Sequence, residues 1–129
     1  MTSTAPLPRI LIVDDEAALR RAVARELRRE FEVTAAGTCA EALQLLPGQP
    51  PIVAIISDYL LGPGPTGLDL LAEVARCAPD CRRVLFSGSI STEMGKDAVA
   101  RGLAHAFVEK PWEPGSLAKA LRRPDPPTG

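Results

Sequence analysis

Aromatic residues are scarce: three Phe, one Tyr and one Trp make up 4% of the 129 residues. With no aromatics interleaved among its basic residues, the chain offers no stacking platform for single-stranded nucleic acid. Histidine is scarcer still, with His105 alone, and cysteine is limited to Cys39, Cys77 and Cys81. An odd set with one close pair, Cys77 and Cys81, makes neither a disulfide framework nor a four-ligand zinc site. The three are expected to be small buried thiols in a reducing compartment. A dominant charge is missing too. Lys+Arg number 15 and Asp+Glu 16, a formal net charge of −1, so the total carries no footprint for nucleic acid or acidic lipid. No apolar run nears the ~20 residues of a membrane span, and Met1 to Pro8 has no signal-peptide pattern. The cytoplasm is the expected location, with no membrane partner. What is present is a globular composition, 46% hydrophobic and 24% charged, at a length that fits one domain.

Five short apolar runs punctuate the chain: Arg9 to Val13, Phe31 to Ala35, Ile52 to Ile56, Val84 to Phe86 and Ala104 to Val108. Their length and lack of strict alternation suit parallel strands covered on both faces. Helical spacing fills the intervals. Leu19, Ala22, Val23, Leu27 and Phe31 form the first stripe, and Ala40, Leu43 and Leu46 the second, opened by a Thr38/Glu41 capping signature. Leu68, Leu71, Val74 and Ala75 form the third, stopped near Pro79. Met94, Ala98 and Val99 form a weaker fourth, interrupted by Gly95 and capped at Gly102. Leu117 and Leu121 mark a short fifth helix, opened by Pro114 in its first turn. Strand and helix thus alternate five times, and right-handed crossovers make this an α/β chain with a five-stranded parallel sheet between helices.

In open α/β sheets, chemistry collects at the carboxyl ends of the strands. The first strand runs into Asp14, Asp15 and Glu16, and the third into Ser57 and Asp58. The fourth runs into Ser87, Gly88 and Ser89, and the fifth into Glu109, Lys110 and Pro111. Three aspartates at one edge repel each other unless a cation offsets them, and Mg²⁺ suits a site with few protein oxygens and several waters. A metal, a lysine and a hydroxyl around one aspartate are what phosphoryl transfer to that carboxylate needs. Taken alone, Asp14 and Asp15 would also serve as helix N-terminal acids.

These motifs, ILIVDDE (Ile10 to Glu16), IISDYLL (Ile55 to Leu61), LFSGS (Leu85 to Ser89) and FVEKPW (Phe107 to Trp112), resemble the receiver domains of bacterial two-component response regulators, of the chemotaxis-regulator type. The resemblance runs from Arg9 to about Arg123. It implies a doubly wound, flavodoxin-like sheet in the order 2-1-3-4-5 over residues 9–123, between a flexible start (1–8) and a tail or linker (124–129). It also implies that Asp58 is the phosphoacceptor. Asp14 and Asp15, with Asp58 and the Leu60 backbone carbonyl, would hold Mg²⁺. Lys110 would pair with the phosphoryl group, Ser87 would move to it, Phe107 would be the rotating switch aromatic, and Lys110–Pro111 would be a cis peptide. The implied partner is a sensor histidine kinase or a phosphotransfer protein of a phosphorelay. The implied output is a change in the face made by the fourth helix, fifth strand and fifth helix, a possible homodimer surface. The domain itself would be no enzyme and would bind no nucleic acid directly.

The loop Gly62-Pro-Gly-Pro-Thr-Gly67 spells G-x-G-x-x-G between a strand and a helix. Pro63 and Pro65 have no N–H for a pyrophosphate, Asp58 would repel one, and the next strand ends in Ser87 without a ribose-binding acid. A Gly/Pro turn into the third helix is the expected reading. The loop is one residue longer than the usual receiver form. Leu60, two past Asp58, is apolar where many receivers are polar, so self-dephosphorylation is expected to be slow. Arg20, Arg21, Arg25, Arg28 and Arg29 give the first helix a basic face, either solvated or used in docking. Trp112 belongs either to the packing or to the output face. An aspartate-nucleophile phosphatase of the haloacid-dehalogenase type would need an acid two residues after its nucleophile. Asp58 is followed there by Leu60, while Asp14 is followed by Glu16 without the rest of that motif. A receiver-like module that no longer takes phosphate is the remaining alternative, and the complete set of acids, hydroxyl and lysine argues against it.

Overall fold

The computed structural model describes residues 6–122; the ends expected to be flexible fall largely at 1–5 and 123–129, outside the described residues. Ten elements alternate: β1 (Arg9–Val13), α1 (Ala17–Leu27), β2 (Glu32–Ala36), α2 (Cys39–Leu45), β3 (Ile52–Ser57), α3 (Gly67–Cys77), β4 (Arg82–Ser87), α4 (Thr92–Ala100), β5 (Ala106–Glu109) and α5 (Ser116–Leu121). All strand pairs are parallel, in the order β2-β1-β3-β4-β5. This is the doubly wound, flavodoxin-like arrangement.

Successive side chains of a strand point to opposite faces, so each central strand feeds two cores. Leu11, Val13, Ile55 and Leu85 face α2 and α3 with Leu70, Leu71 and Val74. Ile10, Ile12, Ile56, Val84 and Phe86 face α1 and α5 with Val23, Leu27, Leu117 and Leu121. Burial on both faces is why these strands read as continuous apolar runs. At the start of β3 the register slips by one residue, Arg9 facing Ile52 and Ile10 facing Ala54, which leaves Val53 exposed.

Several helix details depart from the sequence expectation, always by a small rotation or shift. Phe31 precedes β2 instead of opening it: its N–H bonds to Leu27 and its ring is buried under α1. In α2 the inward positions are Cys39, Ala42, Leu43 and Leu46, while Ala40 faces solvent. Thr38 caps this helix, accepting from the Glu41 N–H as expected. In α4, which Ser91 caps, the inward positions are Gly95 and Ala98, and Met94 is exposed. Pro114 lies in a turn ahead of α5. Gly115, with φ of +90°, adopts a left-handed conformation that starts the helix only at Ser116. Cys81 is buried and Cys39 half-buried, but Cys77 is exposed because it is the last residue of α3. Among the described residues no helix is long and apolar enough to cross a membrane.

Candidate functional site

The ladder hydrogen bonds run one residue past each strand and so fix the backbone of the site. The Asp14 N–H donates to Ala36, the Asp58 N–H to Val13 and the Lys110 N–H to Ser87. The Asp58 carbonyl is held as well: it accepts from the Ser57 hydroxyl at 2.9 Å, and Gly67 packs directly on it. The Gly/Pro loop behaves as a turn. It delivers Thr66 as the N-cap of α3 in a capping box with Asp69, and the Gly67 N–H bonds to the Tyr59 carbonyl at 2.7 Å.

These constraints bring Asp14, Asp15 and Asp58 together, each offering a carboxylate oxygen within 4.8 Å of the others. Asp14 is fully buried, Asp58 nearly so, and Asp15 is exposed. Lys110 crosses the cleft, and its ammonium lies 2.8 Å from Asp14 Oδ2 and 3.1 Å from Asp58 Oδ2. Burial pushes the Asp14 carboxyl above its ordinary range; the Lys110 bond and the Glu16 N–H at 2.9 Å pull it back without offsetting the burial. Burial pulls Lys110 down, yet its bonds to Asp14 and Asp58 outweigh that and hold it above its ordinary value. The ammonium thus carries much of the charge balance that three close carboxylates require. Asp15, Glu16, Asp58, Leu60, Gly88, Ser89 and Lys110 line an open cleft of about 340 Å³ over this cluster.

Ser87 and Phe107 stand apart from the cluster's direct contacts. Ser87 is buried at the end of β4, with its hydroxyl 2.9 Å from that of Ser89. Phe107 is half-buried on β5 against α4. The Leu60 side chain is half-exposed at the cleft. The Lys110–Pro111 peptide is cis, as is Gln49–Pro50, which nothing in the sequence reading anticipated.

Four residues take part in ways the sequence did not assign. Ser89 holds the Ser87 hydroxyl, and Gly67 and Gly95 leave room for Asp58 and Phe107. Arg20 is the fourth: instead of facing solvent with the other arginines, its guanidinium donates to the Asp14 carbonyl at 2.7 Å. Trp112 belongs to the packing: its ring meets Phe86 edge-on at 5.1 Å and its indole N–H donates to Glu26 of α1 at 3.0 Å. The Lys110 ammonium lies 4.9 Å from the centre of the Phe86 ring, so Phe86 touches both the cleft lysine and Trp112.

The doubly wound sheet thus carries an acidic cleft and a lysine at its carboxyl edge, the arrangement found in a small signalling domain. The chain belongs to the response regulator receiver domain family of two-component systems, whose model matches residues 10–122. It is 35% identical over 117 residues to the hydrogenase transcriptional regulatory protein HoxA of Bradyrhizobium diazoefficiens, covering 88% of this chain and 23% of that protein. The chain therefore spans about a quarter of the length of the curated relatives it matches first. Among solved structures, it is similar to a response regulator receiver domain protein from Clostridium thermocellum, with TM-score 0.80 and 25% identity, covering 89% of this chain and 91% of that one. It is also similar to a response regulator from Burkholderia pseudomallei solved with a phosphorylated aspartic acid, a calcium ion and citrate. There the TM-score is 0.78 and the identity 32%, over 89% of this chain and 66% of that one.

Proposed function

We propose that this domain is a phosphorylation switch in which Asp58 accepts a phosphoryl group from a histidine kinase or phosphotransfer protein. One observation carries the reading: a single ammonium, Lys110, is bonded at once to Asp58 and to the buried Asp14, with a third acid beside them. In a structural salt bridge one carboxylate would suffice. Three acids and one lysine at an open cleft fit a site that exchanges partners.

In the transfer, an Asp58 carboxylate oxygen attacks the phosphorus of a phosphohistidine. A P–O bond forms as the P–N bond breaks, and the imidazole nitrogen keeps the bonding pair. Lys110, already on Asp58, stays beside the incoming group and balances its charge. The donor set is all hard oxygen, which fits Mg²⁺, and Asp14, Asp15, Asp58 and the Leu60 carbonyl would hold it. When bound, the cation supplies positive charge for the phosphoryl oxygens. The Ser87 hydroxyl then leaves Ser89 for the phosphoryl group, Phe107 changes place, and the α4–β5–α5 face changes with them. This is a population shift driven by contacts that only the phosphorylated state makes. The Burkholderia relative, solved with a phosphorylated aspartic acid and a calcium ion, supports the same chemistry here.

Two expected outcomes follow at the cleft. Mg²⁺ binds the folded state, so at ten times its Kd it should stabilise the domain by about 1.4 kcal/mol. Thermal melts with and without Mg²⁺ measure this, and Asp14→Asn should abolish the gain. Leu60 is apolar at the cleft and cannot orient a water toward Asp58, so the phosphorylated form should persist for minutes or longer. Decay of the phosphorylated species in purified protein measures it, and a lifetime of seconds would contradict the role given to Leu60. The reading as a whole is tested by adding acetyl phosphate with Mg²⁺ and following Trp112, which meets Phe86 edge-on while Phe86 in turn lies under Lys110, so that its fluorescence should report the change at Asp58. A fluorescence change that needs both reagents is expected. An unchanged signal, with no phosphorylated protein formed, would overturn it.

A further inference from the structure

Glycine is a poor helix former, second only to proline, and in a helix interior it needs a reason. Gly95 sits in the middle of α4 and is buried. Its reason is Phe107. A β-carbon at position 95 would stand 2.2 Å from Cδ2, 2.4 Å from Cε2 and 2.5 Å from Cγ of that ring. No packed interior tolerates such distances, so the ring lies where the β-carbon of any other residue would be. The ring also packs on the core cluster that includes Leu85, Ala98 and Ala104, and the Thr92 hydroxyl bonds to Glu109, tying the start of α4 to the end of β5.

The same conformer has a second fixed point. The Ser87 hydroxyl lies 2.9 Å from the Ser89 hydroxyl and accepts from the Ser89 N–H at 3.1 Å. Ser87 held by Ser89 and Phe107 lying on Gly95 are thus features of one state. Leu85 and Phe107 face each other across β4 and β5, two pairs from Ser87 and Glu109 and so on the same face of the sheet.

We propose that Gly95 is the seat that sets the resting position of this switch. Bare backbone at position 95 lets Phe107 lie down on α4, and that packing favours the conformer in which Ser89 keeps the Ser87 hydroxyl. The proposal rests on the reading of Ser87 and Phe107 as the moving pair. Gly95 touches no reacting atom. It is a positioning residue that acts through Phe107. Whatever disfavours the seated ring must favour the alternative packing, and with it the state that binds the phosphoryl group.

Gly95→Ala tests this. The chain has three phenylalanines, so fluorine labelling of Phe gives three resonances, with that of Phe107 assigned from Phe107→Leu. In unphosphorylated Gly95→Ala the Phe107 resonance should shift while those of Phe31 and Phe86 stay. Its initial rate of phosphorylation by acetyl phosphate with Mg²⁺ should rise several-fold. A thermal cycle keeps the test independent of phosphate. In a Phe107→Ala background, Gly95→Ala should raise Tm, as alanine for glycine in an ordinary helix does; in the native background it should lower Tm or fail to raise it. An unmoved Phe107 resonance, an equal Tm gain in both backgrounds, or a moved resonance without faster phosphorylation would each overturn the proposal. If the native protein takes no phosphate at all, the phosphoacceptor reading fails, and the resonance and the melts still decide whether Gly95 is the seat.

Discussion

Asp58→Asn is expected to take no phosphoryl group from any donor, while folding like the native protein. The amide has nearly the shape of the carboxylate, and its oxygen can still accept from the Lys110 ammonium. Lys110 also keeps its 2.8 Å bond to Asp14. What is lost is the anionic nucleophile itself, and a neutral amide oxygen has no comparable reactivity. Nor does the buried Asp14 replace it. Asp14 is fully buried with both oxygens engaged, Oδ1 by the Glu16 N–H and Oδ2 by Lys110. The combination of unchanged melting and absent phosphorylation separates loss of the acceptor from loss of the fold. A variant that still gained label from a phosphorylated kinase would remove Asp58 from its assigned role.

Gly67→Ala should have the largest effect on stability of any single methyl addition near the site. A β-carbon there would meet the Asp58 carbonyl oxygen at 1.8 Å, its carbon at 2.8 Å and the Tyr59 Cα at 3.0 Å. All three are backbone atoms, and none can swing aside as a side chain does. The Asp58 carbonyl is held by the Ser57 hydroxyl, and the Gly67 N–H is tied to the Tyr59 carbonyl, so the loop cannot open without losing hydrogen bonds. Overpacking of this kind costs about 3 kcal/mol or more, which for a domain of this size lowers Tm by roughly 10 °C. Whatever fraction folds should also phosphorylate slowly, because the displaced backbone is that of Asp58. Thermal melts measure the first effect, and a Tm within two or three degrees of native would show that the loop is more pliant than its contacts indicate.

The legible and illegible parts of this chain divide on a physical line. Strands buried on both faces announce themselves as apolar runs, and residues that follow them in sequence also follow them in space. That is why Asp14, Asp15, Asp58 and Lys110 could be placed at one edge from spacing alone. The G-x-G-x-x-G string could be set aside on local chemistry, since Pro63 and Pro65 remove the N–H groups a pyrophosphate would use. Helix rotation is harder to read in short helices. Ala40 and Met94 were expected inside and face out, because helices of seven and nine residues are too short for an apolar stripe to fix which way the helix is turned. Gly115 displaced the expected start of α5 from Pro114 by its left-handed backbone. Contacts made by missing atoms were the least visible. Gly67 read as a loop residue and Gly95 as a weakness in a helix, yet each is a place where another segment occupies the volume of a β-carbon. Arg20 read as one of five surface arginines, yet its guanidinium passes over Gly37 and reaches the Asp14 carbonyl.

The most direct measurement of the central claim is residue-level mapping of the phosphoryl group. The native domain is incubated with acetyl phosphate and Mg²⁺, and the modified residue is located by peptide mass spectrometry alongside Asp58→Asn and a Mg²⁺-free control. A single phosphoryl group on Asp58, dependent on Mg²⁺ and absent from the variant, is the predicted result. Modification at another residue, or none in the native protein while Mg²⁺ is bound, would contradict it.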